Sequence, residues 1–193
     1  MINDSVPWKE ELLNISNRLE KKKVQKRWTE RSSFIVERDV MVGAYAVRKL
    51  LEAKKVSDRL AGQVFSVRSH ALVGEVPDMR SRFEFWEIYD IDNFKSIDLP
   101  IWKICNQVIH SWNWVISVSE DAELFDGVFI SSDHQRRTCI YFIDVDTFIR
   151  MFREIGDEQI VSAEMSLNTH GEMDWTNVIG IPWSQWSDGK DSD

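Results

Sequence analysis

Hydrophobic residues recur at helical spacing between positions 99 and 112. One stripe is formed by Ile101, Ile104, Cys105, Val108, Ile109 and Trp112. This three- and four-residue spacing predicts an amphipathic helix with one buried face. Pro100 suits the first helical position, where its missing N–H costs nothing, and Asp98 is placed to cap the helix. Asn106 and His110 lie one turn apart, nearly opposite the stripe.

Three short segments after this helix have the pattern of strands. They span residues 114–118, 128–130 and 139–143, and turn-forming residues separate them at 120–123 and 133–137. Consecutive strands joined by short turns predict an antiparallel meander. Asp144 or Asp146 then caps a second helix with an apolar stripe, which Gly156 should end in a left-handed cap.

The first 62 residues predict helices. Trp8, Leu12, Ile15 and Leu19 repeat at helical spacing after Pro7, and a second stripe runs through residues 33–55. Gly43 inside the second helix favours close packing against a neighbouring helix, since an interior glycine costs about 1 kcal/mol relative to alanine. Ser57 is placed to cap one further turn before Gly62.

The remaining segments are harder to assign. Residues 64–67 predict a short strand, and the run at 83–89 fits either a strand or one face of a short helix; we favour the strand. Residues 159–167 predict another strand, and the chain from Asn168 onward is polar and rich in turn formers. We therefore expect an α+β protein with a helical arm (1–62), an α+β core (63–167) and a polar tail that contains tryptophans (168–193). In the core, helices pack on one face of the meander.

Composition narrows the setting. The 193 residues include two cysteines, Cys105 and Cys139, which lie amid apolar neighbours and are typical of small buried hydrophobes. No secretory signal or run of 18 apolar residues is visible, so we expect a cytoplasmic protein that does not cross a membrane. The four histidines lack metal-ligand spacing, and Asp144 with Asp146 is better explained by helix capping than by a metal. No metal and no cofactor are expected.

Charge is distributed unevenly. Residues 1–62 carry 14 basic and 9 acidic groups, whereas residues 113–193 carry 5 and 16, within a net charge of −8. The most basic window holds Lys21, Lys22, Lys23, Lys26, Arg27 and Arg31, with Trp28 as its one aromatic residue. Such a window fits the solvated face of a helix, or a contact with nucleic acid or an acidic partner.

Two tryptophans near the end of the chain form a second candidate contact. Trp183 and Trp186 stand three residues apart after Pro182. Aromatic anchors of this kind serve either as a strap docked on the chain's own surface or as a motif offered to a partner.

Residues 105–110, Cys-Asn-Gln-Val-Ile-His, resemble the Arg-Asn-x-x-x-His segment of the HEPN family. These are helical-bundle ribonucleases and nucleotide-binding domains common in bacterial toxin and antiviral systems. The resemblance covers six residues and implies that Asn106 and His110 are the catalytic candidates. Cys105 stands where the family has the arginine that acts on the scissile phosphate.

Two functions follow from these patterns. The first is a non-catalytic interaction protein that contacts a protein partner, or further copies of itself, and can bind nucleic acid through its basic arm. The second is a degenerate HEPN-like protein that processes RNA or binds nucleotides in a bacterial or phage defence or toxin system.

Overall fold

The computed structural model describes residues 2–81, 84–119, 124–167 and 169–187. It has the α+β architecture that the sequence predicts, with helices against a five-stranded antiparallel sheet and a separate two-stranded sheet. The helices are α1 (Val6–Lys23), α2 (Glu30–Glu52), α3 (Asp58–Ala61), α4 (Phe85–Ile88), α5 (Ile101–Ile109), α6 (Val145–Gly156) and α7 (Trp183–Ser187). The strands are β1 (Val64–Ala71), β2 (Lys95–Pro100), β3 (Ser111–Val118), β4 (Phe125–Ser132), β5 (Cys139–Asp144), β6 (Glu158–Leu167) and β7 (Met173–Pro182).

The meander forms three of the five strands of the large sheet. The strand order is β2-β1-β5-β4-β3, so β3, β4 and β5 are consecutive neighbours, as their short connections predict. The predicted turn at 120–123 lies outside the described residues. β1 pairs with the free edge of β5, with Arg68 opposite Phe142, and this places an early strand near the centre of the sheet.

One face of the sheet is covered by α1, α2, α5 and α6. Their apolar stripes and the inward side chains of the strands form a single cluster, to which Leu12, Val40, Ile104, Ile143 and Phe148 belong. The two N-terminal helices therefore share the core of the sheet.

The pair α1 and α2 is antiparallel. Near the end of α1, Arg18 donates to both carboxylate oxygens of Asp39, at 2.7 and 3.1 Å. Near its start, the Trp8 ring lies 6.2 Å from the Tyr45 ring, centroid to centroid. These contacts join the C-terminal part of each helix to the N-terminal part of the other.

Gly43 provides the close helix packing that its position in the sequence predicts. A Cβ atom added at Gly43 would lie 2.5 Å from Cζ of Phe152, a completely buried residue of α6. The absence of a side chain therefore allows the aromatic ring of α6 to reach the backbone of α2.

The opposite face of the sheet carries a smaller cluster, and here the sequence-based prediction of a strand at 83–89 is wrong. Phe85 and Ile88 are one turn apart in the short helix α4, and both pack with Tyr89 and Ile140. The amide of Tyr89 donates to the carbonyl of Phe85, which closes the turn. Phe83 lies outside the described residues.

Two predicted helix starts differ from the structure. Asp98 does not cap α5, because it lies in β2 opposite Ser66, and Pro100 occupies the N-cap position. The second helix begins earlier than expected, at Glu30, because the hydroxyl of Thr29 accepts from the amide of Ser32 at 3.2 Å.

Two helix ends also differ. The apolar stripe at 101–112 predicts a helix longer than the observed one, since α5 ends at Ile109 and Trp112 belongs to β3. Gly156 is the last residue of α6 and does not adopt the expected left-handed conformation. A Cβ atom there would lie 2.9 Å from the carbonyl oxygen of Lys9, so this glycine permits the close approach of α1.

Other caps agree with the sequence. Asp144 accepts from the amide of Thr147 at 2.7 Å at the start of α6. Ser57 caps the start of α3, and Gly62 is the C-cap at its end.

A second antiparallel pair follows α6. The strand predicted at 159–167 is confirmed as β6. Its partner β7, from Met173 to Pro182, was not predicted from the sequence. The base of this hairpin is fastened to α3, because Asp58 accepts from the amide of Val178 at 3.0 Å.

Filling the space at Gly43 should destabilise the protein. We expect Gly43→Val to lower the free energy of unfolding by about 1–3 kcal/mol, because overpacking outweighs any gain in helix propensity. Urea denaturation measures the change. In a double-mutant cycle, Phe152→Leu should absorb part of the cost; strictly additive effects would show that the two positions do not oppose each other.

Candidate functional site

The basic window forms the turn between α1 and α2, and Trp28 is its internal anchor. The indole N–H of Trp28 donates to Oγ of Ser33 at 2.7 Å, and its ring lies 5.5 Å from the ring of Phe125, centroid to centroid. Trp28 therefore attaches the turn to β4. Trp28, a candidate contact residue from the sequence, therefore has a structural role within its own chain.

Two of the window's cations have partners within the molecule. Lys22 donates to the side-chain oxygen of Gln25 at 2.6 Å. Lys23 forms an ion pair with Asp146 at 2.5 Å, which joins α1 to the start of α6. These two lysines therefore make contacts within the protein itself.

The other four cations are Lys21, Lys26, Arg27 and Arg31. All four are exposed, and none forms an ion pair with any residue in the described ranges. Two exposed apolar side chains lie close to them in the chain: Val24, between Lys21 and Lys26, is 70% exposed, and Phe34, three residues after Arg31, is 60% exposed. We call these six residues the basic corner.

The basic corner combines charge with apolar area. Arg31 and Phe34 are three residues apart in α2, so they share one face of the helix. Val24 and Phe34 are not among the contact residues predicted from the sequence. The sequence feature that could have identified them is an apolar residue outside, or at the margin of, the buried stripes of α1 and α2.

The resemblance to the HEPN segment falls on α5 and its C-cap, and its residues have different surroundings. Cys105 is fully buried, and burial raises the pKa of its thiol to about 12. Asn106 accepts from Nη1 of Arg48 in α2 at 3.1 Å. His110 lies exposed at the C-terminal cap of the helix. Arg48 is a residue that the sequence analysis missed, because it lies 58 positions away.

The tryptophans near the end of the chain are only partly described. The backbone N–H of Trp183 donates to the carbonyl of Asp157, and Oγ of Ser184 donates to the Asp157 carboxylate at 3.0 Å. The main chain at the start of α7 is therefore docked, whereas the Trp183 side chain is 54% exposed. The side chain of Trp186 lies outside the described part of the structure.

A groove of about 780 Å³ follows the outer face of α6. Three arginines and six acidic residues line it, and some of these pair with each other, such as Arg153 with Glu20 at 3.4 Å. Within the described ranges, no three potential metal ligands come together. No helix there has both the length and the apolar character needed to cross a bilayer.

Comparison of the chain with protein-family models, with curated proteins and with solved structures gave no match.

Substitutions in α5 should distinguish its two sides. We expect Ile104→Ala to cost about 2–5 kcal/mol of unfolding free energy because it leaves a cavity in a fully buried position, and Val108→Ala should also destabilise the core. His110→Ala should leave the melting temperature nearly unchanged, since His110 is exposed. Thermal melts of the three variants test this. A His110→Ala protein that melts as early as Ile104→Ala would contradict the assignment.

Proposed function

We propose that the protein is an interaction protein that binds an acidic partner protein through the basic corner. The observation that supports this most directly is the set of four exposed cations without ion-pair partners among the described residues. Other cations nearby, such as Lys23 and Arg18, are engaged with carboxylates of the same chain. The charge of the corner is therefore free to attract an anionic surface.

The composition of the corner favours a protein partner over nucleic acid. Val24 and Phe34 add apolar area beside the cations, and this combination fits an acidic segment that also carries apolar side chains. The net charge of −8 would repel a long polyanion beyond the corner itself. Phosphate contacts alone would leave the apolar side chains unused.

The test uses defined probes. A fluorescent peptide of glutamates with interspersed phenylalanines, a polyglutamate of equal charge and a single-stranded RNA are titrated at low and high salt, with anisotropy as the readout. We expect the mixed peptide to bind most tightly. Reversing the four charges (Lys21→Glu, Lys26→Glu, Arg27→Glu, Arg31→Glu) should weaken it more than about tenfold, because attraction becomes repulsion.

The matched control reverses four exposed cations elsewhere (Arg80→Glu, Lys95→Glu, Lys103→Glu, Arg137→Glu), which changes net charge equally. It should keep most of the affinity, whereas Phe34→Ala should lower the affinity for the mixed peptide specifically. Equal losses in both reversed proteins would overturn the proposal. Tighter binding of RNA, with a steep salt dependence, would favour nucleic acid as the partner.

One observation favours a second function, the HEPN-like alternative. The family's arginine is absent at position 105, but Arg48 reaches Asn106 from α2, and His110 follows one turn later at the C-cap of α5. Together these residues could bind and cleave a phosphodiester. Labelled RNA should then be cut by the natural chain but not by His110→Ala or Arg48→Ala. Intact RNA together with no nucleotide binding, for a folded protein, would rule this function out.

A further inference from the structure

A small cleft lies at the opposite end of the α1 and α2 pair from the basic corner. The end of α2, the start of α1 and the hairpin of β6 and β7 enclose about 290 Å³. Because α1 is 18 residues long, about 27 Å separates its two ends. The cleft is therefore a distinct place on the molecule, and the inference drawn from it does not depend on the proposed function.

The charge of this cleft is unusual for the molecule. Lys9, Lys54 and Lys55 line it, and no acidic residue is among its described lining residues. By contrast, the larger groove along α6 mixes arginines with twice as many carboxylates. In a chain of net charge −8, a cavity whose charged lining residues are all cations concentrates positive potential where a small anion could enter.

Lys9 is the deepest of these cations. It is only 5% exposed, and its ammonium group donates to the backbone carbonyl of Glu158 at 2.5 Å. An ammonium group has three N–H donors, so this contact leaves donor capacity. Burial lowers the pKa of Lys9, attraction to Glu158 opposes that shift, and the charge of Lys55 lowers the pKa further. An anion between the two lysines would relieve their repulsion.

Lys54 is held in a backbone conformation that normally selects glycine. Its φ is 53°, and the amides of Lys54 and Lys55 donate to the carbonyls of Leu51 and Leu50 at 3.1 and 2.9 Å. This pattern is the Schellman motif, whose left-handed position is usually glycine because a Cβ is unfavourable there. A lysine at this position accepts backbone strain and adds a cation to the wall of the cleft.

The facing wall is aromatic. Trp175 of β7 lines the cleft beside Ala163 of β6 and remains 46% exposed, so part of its indole surface is available. Flat rings stack on tryptophan, and cation-rich surroundings suit a doubly charged group better than a singly charged one. The volume is close to the lower limit of small-molecule sites, which restricts the occupant to about one ring.

We propose that this cleft binds a phosphate group carried on a flat ring, with the phosphate at Lys9, Lys54 and Lys55 and the ring against Trp175. The hydroxyl of Ser5, which also lines the cleft, supplies a further donor for the phosphate. Lys9 holds its position through Glu158, and Lys54 and Lys55 hold theirs through the end of α2.

Isothermal titration calorimetry with phenyl phosphate and with inorganic phosphate tests the site. We expect phenyl phosphate to bind about tenfold more tightly than inorganic phosphate, because only phenyl phosphate contacts the indole. Trp175→Ala should remove that difference. The matched control, Trp183→Ala, changes an exposed tryptophan outside the cleft and should bind as the natural chain does.

Lys54→Gly separates binding from folding. Glycine is preferred at this left-handed position, so the variant should melt no earlier than the natural chain while binding of phenyl phosphate falls about tenfold. Lys103→Gln, which neutralises an exposed lysine of α5, should change neither property. The proposal is overturned if phenyl phosphate does not bind, if Lys54→Gly binds normally, or if Lys103→Gln loses as much affinity as Lys54→Gly.

Discussion

The need to cover one apolar face of the sheet decides which polar groups of the chain remain free. Leu12, Ile15 and Leu19 of α1 are fully buried against the sheet and its neighbouring helices. This burial fixes the rotation of α1 about its axis, so Lys21 in the next turn points to solvent. The same holds for α2, whose buried Val36 and Val40 leave the opposite face open. The basic corner is thus a consequence of core packing.

At the other end of the helix pair, a buried carboxylate determines where the residues of the cleft lie. Glu158 is nearly inaccessible, and its oxygens accept from the amide and the hydroxyl of Ser57 at 2.8 and 2.5 Å. Burying a charge is costly unless such hydrogen bonds offset the loss of water. Gly180 makes room for it, since a Cβ there would lie 2.5 Å from the carboxylate. These contacts fix the base of the hairpin and thereby place Trp175 opposite the end of α2.

The parts of the fold that local patterns predict are the long helices and the meander. Their apolar residues face one continuous core, so periodicity and burial agree over many residues. The segment that forms α4 is too short for its periodicity to distinguish a helix from a strand, because Phe85 and Ile88 lie in a run of apolar residues that fits both patterns. β7 was missed for a different reason. Trp175 and Ile179 of this strand stay exposed, so burial does not impose the alternation typical of a strand in a larger sheet.

The candidate sites were less predictable than the fold, because their properties come from contacts between distant parts of the chain. Composition identifies the basic window, but only tertiary structure shows that Lys23 is paired with Asp146, 123 positions away. The cleft leaves still less trace in the sequence. Lys54 and Trp175 meet across it although more than half of the chain separates them. Clusters of neighbouring residues in the sequence therefore indicate the basic corner but not the cleft.

Because α1 and α2 are antiparallel, side-chain charges rather than helix dipoles determine the electrostatic potential at both ends of the pair. The C-terminus of one helix lies beside the N-terminus of the other at each end, so the two macrodipoles oppose each other and largely cancel. The positive potential at the corner and at the cleft therefore originates in lysine and arginine side chains rather than in the backbone. Because the cations of the corner, and Lys54 and Lys55 of the cleft, lie outside the core, their charges can be altered while the packing of the helices on the sheet is retained.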